Sequence, residues 1–198
     1  NDILARLLAQ GATPSLGQQV IVDNRGSSSL EVVQRSAPDG YNLLLYGSVL
    51  WLLPFMREHA GYEPLRDFVP VLWGTTTPNV LVVHPSLPVK SVTDLIALAK
   101  AKPGELNYGS GSSGSTSHLA AELFKAMAGV NLVRIAYKGS GPAMAALLAG
   151  EFHLIFPSAS TASAAVKTGK ARAIAVASLK PTALAPGLPT LSESGLPG

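Results

Sequence analysis

Between Leu106 and Ala128 the chain reads LNYGSGSSGSTSHLAAELFKAMA, and its chemistry concentrates there. Glycines at 109, 111 and 114 are interleaved with serines and Thr116. Leu119, Ala120, Leu123, Phe124 and Met127 then recur at helical spacing, with Glu122 and Lys125 on the other face. A helix beginning near Ser115–Ser117 leaves its first N–H groups without intrahelical acceptors, at the positive end of its dipole. A carboxylate or phosphate placed there is stabilised, and glycine lets it approach the backbone closely.

Two other readings compete. The three glycines satisfy G-x-G-x-x-G, the pattern that cradles a dinucleotide pyrophosphate, but that fold also wants an acidic residue about 20 positions further on. The chain offers Arg134, then Tyr137 and Lys138. A serine-rich turn that merely caps a helix is the blander alternative. Anion binding gains from a second turn of the same kind, Tyr137-Lys138-Gly139-Ser140-Gly141-Pro142, ahead of a helix running to Leu148.

Other chemistry is thin. Histidines 59, 84, 118 and 153 never stand four apart around a carboxylate and have no cysteines to join them, so no metal site is expected. His118, one turn into the helix, reads either as a ligand contact or as a local hydrogen-bond partner. No G-x-S-x-G elbow occurs, and the acidic residues form no evident acid/base pair. No catalytic residue is nominated, which favours a binding protein.

The elements that must position this turn alternate. Helices are expected over the first ten residues, around Glu31–Arg35, from Ser91 to Pro103, from Pro142 to Leu148 and over Ser158–Thr168. Strands are expected at Gln19–Asp23, Leu43–Tyr46, Val69–Trp73, Val80–Val83, Leu132–Ala136, Phe152–Phe156 and Ala173–Ala177. Alternation argues an α/β fold with mostly parallel sheets, whose ligands bind outside the carboxyl ends of the strands. With 198 residues, 47% hydrophobic and 14% charged, one large domain or two small ones can be filled. The net charge of +3 is small, and Lys167, Lys170 and Arg172 suit a solvated helix end, so no nucleic acid partner is expected. There is no cysteine, hence no disulfide framework, which is compatible with export. The longest apolar run, Val49–Phe55, is broken by Pro54 and falls short of a membrane span. The opening NDILARLLAQ reads as the middle of a helix, so residues upstream are expected.

Several segments together resemble the extracytoplasmic solute receptors of tripartite tricarboxylate transporters, called Bug receptors in Bordetella. They are NDILARLLAQ, APDGYNLLL at Ala37–Leu45, DF-x-P-V at Asp67–Val71, PNVLVVHPSLPVKS at Pro78–Ser91, the glycine–serine turn, YKGSGPA-x-x-x-LLAGE at Tyr137–Glu151 and the final LPTLSESGLPG. The resemblance implies a two-lobed periplasmic binding protein of type II, each lobe a mostly parallel sheet flanked by helices, closing about a hinge. Lobe 1 would comprise residues 1–83 with 177–198, and lobe 2 residues 84–176. It implies a monomer without cofactor, metal or catalysis that captures a small carboxylate and delivers it to membrane subunits of the transporter. The implied ligand contacts are Gly47 and Ser48, then Ser110, Gly111, Ser113, Gly114, Ser115, Thr116 and Ser117, then Ser158 and Ala159.

Departures from the family pattern bear on the ligand. The usual Pro-Pro-Gly-Gly loop before Asn1 and roughly the last third of a typical member lie outside this sequence, and the segment Asn24–Glu31 is short. Pro157 stands where members commonly carry Asp, and His153 where many carry another, which points to a carboxylate without an amino group. Val49, Leu50 and Trp51 replace polar residues and would make a pocket more apolar, unless Trp51 is core. The rival from another class is an NADP-dependent enzyme using Gly109–Gly114, with Arg134 or Lys138 on the 2′-phosphate. A third is a sensor or interaction module that has lost transport.

Overall fold

The computed structural model describes residues 2–26, 28–56 and 58–196, with Ile3 described for its backbone alone. The expectations that fall on Asn1, on the side chain of Ile3, on Ser27 and on the closing Pro197-Gly198 therefore lie outside the described residues. Contacts divide the chain into two units, Asn1–Trp73 and Gly74–Gly198.

In the first unit, α1 (Asp2–Leu16) runs through Gly11 and takes Pro14 inside its last turn, ending at Gly17 with φ 64°. The helix is longer than its glycine and proline suggested. α2 spans Ser28–Gln34, α3 Val49–Met56 and α4 Pro64–Asp67. The Asp67 carboxylate accepts from Arg66, from the Glu63 N–H and from Gln34 Nε2 at 2.7 Å, linking α2 to α4. These bonds, Arg66 foremost, hold it down at about 2. The strands expected at Gln19–Asp23, Leu43–Tyr46 and Val69–Trp73 are corrected: among the described residues they form no ladder. Their β-branched and aromatic residues fit a half-buried pleated surface, but a strand exists only where a neighbour takes its N–H and C=O groups. Ile21, Val69 and Trp73 are instead 81%, 86% and 83% exposed.

The second unit alternates as expected: β1 (Asn79–Val83), α5 (Val92–Ala101), β2 (Asn107–Ser110), α6 (Thr116–Ala128), β3 (Val133–Ala136), α7 (Ser140–Leu148), β4 (Leu154–Ile155), α8 (Ala159–Lys167) and β5 (Arg172–Ala177). One five-stranded sheet takes the order β3-β2-β4-β1-β5. β2 is parallel to β3 and β4, while β1 is antiparallel to both β4 and β5. Four strands thus share one direction and β1 alone is reversed. Helices cover both faces, which is why β1 reads, after Asn79, as the unbroken apolar run VLVV. Its residues alternate: Leu81 and Val83 join Leu95, Tyr108, Phe124 and Phe156 on one face. Val80 and Val82 join Met144, Leu147, Phe152 and Ala162 on the other.

Local signals set the helix ends. Ser91 Oγ accepts from the Asp94 N–H at 3.1 Å while Asp94 accepts from the Ser91 N–H at 3.0 Å, the reciprocal box that starts α5. α7 begins at Ser140, two residues before Pro142, after Gly139 in extended backbone and with no side-chain cap. Val83 and Ala177, the expected lobe limits, are ends of β1 and β5, which pair from Asn79↔Ala177 to Val83↔Arg172.

Candidate functional site

β3, β2 and β4 are parallel neighbours, and each is followed by a helix. The starts of α7, α6 and α8 therefore lie in that order along the carboxyl edge of the sheet, where α/β proteins bind ligands. Ser110, fully buried, ends β2, and its carbonyl accepts the Tyr137 N–H at 2.8 Å.

From Ser110 the chain makes a tight turn into α6. Gly109 comes first and has a packing reason: a Cβ there would stand 2.1 Å from Phe152 Cζ. Gly114 adopts φ 80°, which side chains rarely tolerate. Ser115 caps α6, its Oγ accepting from the His118 N–H and lying 3.1 Å from Ser117 Oγ. Several of the turn's N–H groups are already engaged. Gly111 donates to Ser117 Oγ at 3.1 Å, Gly114 to His118 Nδ1 at 3.2 Å, and Ser115 to the Ser112 carbonyl at 3.0 Å. Among the described residues, the N–H groups of Ser112 and Ser113 have no partner, and Thr116 and Ser117, first in α6, have no intrahelical acceptor.

His118 resolves toward local hydrogen bonding. Because Nδ1 accepts from Gly114, the hydrogen-bond network assigns the ring proton of the neutral form to Nε2. Burial, and then the Arg134 charge, push its pKa below the ordinary histidine value. The dinucleotide reading places Arg134 or Lys138 on a 2′-phosphate, and Arg134 is engaged elsewhere. It reaches from β3 to the turn: Nε donates to Ser110 Oγ at 2.7 Å, Nη1 to Ser113 Oγ at 3.1 Å and Nη2 to the Gly111 carbonyl at 2.9 Å. The only trace of this in the sequence is an arginine in a short strand. Its partners follow from the register Tyr108↔Arg134, which spacing does not encode.

Behind the turn, the buried Tyr108 hydroxyl donates to the Glu122 carboxylate, which also takes Lys125 Nζ at 2.9 Å on both oxygens. Burial pulls the Glu122 carboxyl up, but the bonds from Tyr108 and Lys125 outweigh it and leave it below the ordinary range. The tyrosine hydroxyl is pushed well up, by burial first and then by Glu122. This triad fastens α6 to β2.

The α8 start is more self-contained. Ser158 Oγ accepts from the Thr161 N–H at 3.3 Å and meets the Ser160 and Thr161 hydroxyls at 3.0 and 2.8 Å. The Ala159 N–H is engaged by the Pro78 carbonyl at 3.0 Å. In the first unit, Gly47 and Ser48 immediately precede α3, their carbonyls accepting from Leu50 and from Trp51 and Leu52. In a groove of about 670 Å³ in that unit, lined by Arg6, Ala9, Thr13 and Val20, the Thr13 hydroxyl is bonded to the Ala9 carbonyl and the Val20 N–H, and Arg6 is paired with Asp2. Among the described residues no three metal-binding side chains gather, and no helix is long and apolar enough to cross a membrane.

Residues 4–198 match the family model described as tripartite tricarboxylate transporter family receptor. Protein BugT of Bordetella pertussis is 37% identical over 206 residues, which take in 99% of this chain and 62% of BugT. The structure of R. palustris Rpa4515 with adipate superposes with a TM-score of 0.90 at 37% identity, covering 100% of this chain and 68% of that one. MatC from Rhodopseudomonas palustris with bound malate gives 0.88 at 27% identity, over 99% and 68%. The chain spans about 60% of the length of the curated relatives it matches.

Proposed function

The chain belongs to the tripartite tricarboxylate transporter receptor family, and from that premise we propose that it is a two-lobed periplasmic solute receptor. In this reading it captures a small carboxylate reversibly and hands it to the membrane subunits of such a transporter. The observation that carries the reading is the turn before α6. Its unengaged N–H groups stand at the positive end of a helix, while Gly111 and Ser110 beside them are tied to Ser117 and Arg134.

The adipate and malate of Rpa4515 and MatC support a dicarboxylate as the ligand class. The N–H groups of Ser113, Thr116 and Ser117 hold a carboxylate in this proposal, while Ser110, Gly111, Gly114 and Ser115 shape the turn. Gly47 and Ser48, and Ser158 and Ala159, are proposed contacts on the family resemblance. The lobe limits, 1–83 with 177–198 and 84–176, and a monomeric state are proposed on the same ground. Capture proceeds by closure about a hinge and involves no reaction. The dinucleotide pattern has a different explanation here, since Gly109 makes room for Phe152 and Arg134 is engaged with the turn.

A thermal-shift panel on the full-length protein, followed by calorimetry, tests this with adipate, malate, amino acids, sugars, phosphate and NADP. Selective stabilisation by carboxylates is the expected outcome. A response to NADP alone, or none across the panel, would remove the reading.

A further inference from the structure

Resting on that reading of the α6 turn, we propose that Arg134 decides which carboxylates the turn accepts: by occupying acceptors and leaving donors to the ligand, it suits the turn to a carboxylate with no ammonium group beside it. A guanidinium donates and never accepts. Arg134 gives N–H bonds to both Ser110 Oγ and Ser113 Oγ, so each hydroxyl must send its own proton elsewhere. Ser110, buried, sends it to the Gly111 carbonyl at 3.2 Å, which also takes Arg134 Nη2. Ser113 is exposed, and among the described residues its hydroxyl proton meets no acceptor. Polarised by the cation behind it, that proton is left for a ligand.

Four of the turn's carbonyls are meanwhile engaged. The Ser110 carbonyl takes the Tyr137 N–H, Gly111 takes Arg134, Ser112 takes the Ser115 N–H and Ser115 takes the Leu119 N–H. The nearby carboxylate, Glu122, is bound by Tyr108 and Lys125. An ammonium group seated at this turn would meet N–H and O–H groups with a guanidinium behind them, and carbonyls of Ser110, Gly111, Ser112 and Ser115 that already hold a donor each. Arg134 is thus a positioning residue that acts through Ser113 and the turn.

Malate and aspartate share a skeleton and differ in a hydroxyl against an ammonium, so calorimetry with this pair on the full-length protein reads the effect directly. The wild type is expected to bind malate the more tightly. Arg134→Met should shift the malate-to-aspartate affinity ratio toward aspartate by about tenfold, the scale of one charge-assisted hydrogen bond. Arg134→Lys, which keeps the charge but not the fork, should recover part of the ratio. Ser113→Ala should weaken malate in the wild-type background and have little further effect beside Arg134→Met. Equal loss of both ligands in Arg134→Met would make the arginine a mere brace and overturn the proposal while leaving the carboxylate site standing. A wild type that binds neither ligand, nor any other carboxylate, removes the site and the proposal together. If Arg134→Met does not fold, an unchanged ratio in both Arg134→Lys and Ser113→Ala overturns it.

Discussion

The starts of α6 and α8 follow adjacent parallel strands and share one capping geometry. Ser115 and Ser158 both have φ −64°, with ψ 155° and 150°, and each accepts from the N–H three residues on. Their surroundings differ. The α8 start follows β4 after a short link, gives its first N–H to Pro78 and bonds its hydroxyls to one another. The α6 start is preceded by a glycine–serine turn whose Gly111 carbonyl and Ser110 and Ser113 hydroxyls are engaged by a cation from another strand. A serine cap is enough to begin a helix. Making that beginning a receptor for an anion requires a loop that brings further N–H groups round and a distant residue that fixes their polarity.

The largest effect is expected where both starts share a foundation. Gly109→Ala drives a methyl into the Phe152 ring between β2 and β4 and should cost roughly 3 kcal/mol, read from the denaturant midpoint. An unchanged midpoint would mean the strands and ring yield easily. Next, Gly114→Val forces a branched side chain into positive φ, costing about 2 kcal/mol. It should lower carboxylate affinity more than tenfold by calorimetry; full affinity would take this turn out of the site.

Removing each cap sharpens the contrast. Ser115→Ala and Ser158→Ala should each cost about 1 kcal/mol of stability, yet Ser115→Ala should weaken the carboxylate more. Equal losses of affinity would erase the distinction between the two starts. The smallest effect concerns the position three residues after each cap, His118 in α6 and Thr161 in α8. The folded state lowers the His118 pKa, through burial and then Arg134, so the unfolded chain takes up its proton first as the pH falls. Stability attributable to His118 is therefore present above about pH 6.5 and declines below it, toward the folded value. His118→Asn should flatten that decline in urea midpoints taken at about pH 7.5 and 5.5. No change in slope would show that His118 is equally at ease charged in the turn.

Much of what depends on neighbours in the chain is legible in the sequence. The α5 box and the serine caps sit within a few residues of their partners. β1 announced itself because both its faces are buried. Pairing was not legible. Gln19–Asp23, Leu43–Tyr46 and Val69–Trp73 have strand-like residues but no ladder, and nothing in NVLVV marks it as the reversed strand of its sheet. In the site, the turn and its cap were readable from glycine and serine spacing. The Gly109–Phe152 packing and the Arg134 clamp join residues far apart in sequence, and only the sheet register brings them together. Gly11 and Pro14 were misleading for a local reason. Glycine within a helix costs only about 1 kcal/mol, and α1 absorbs the proline in its last turn.

The bond from buried Tyr108 to Glu122, itself gripped by Lys125, has a consequence in time. With the second turn of α6 fastened to β2, the first turn has little ordering left to do when an anion arrives. At this edge of the sheet, encounter should be quick for any small anion and nearly alike for good and poor ligands. Discrimination should then be expressed in how long each stays, so residence times, measured ligand by ligand, will spread far more widely than rates of arrival.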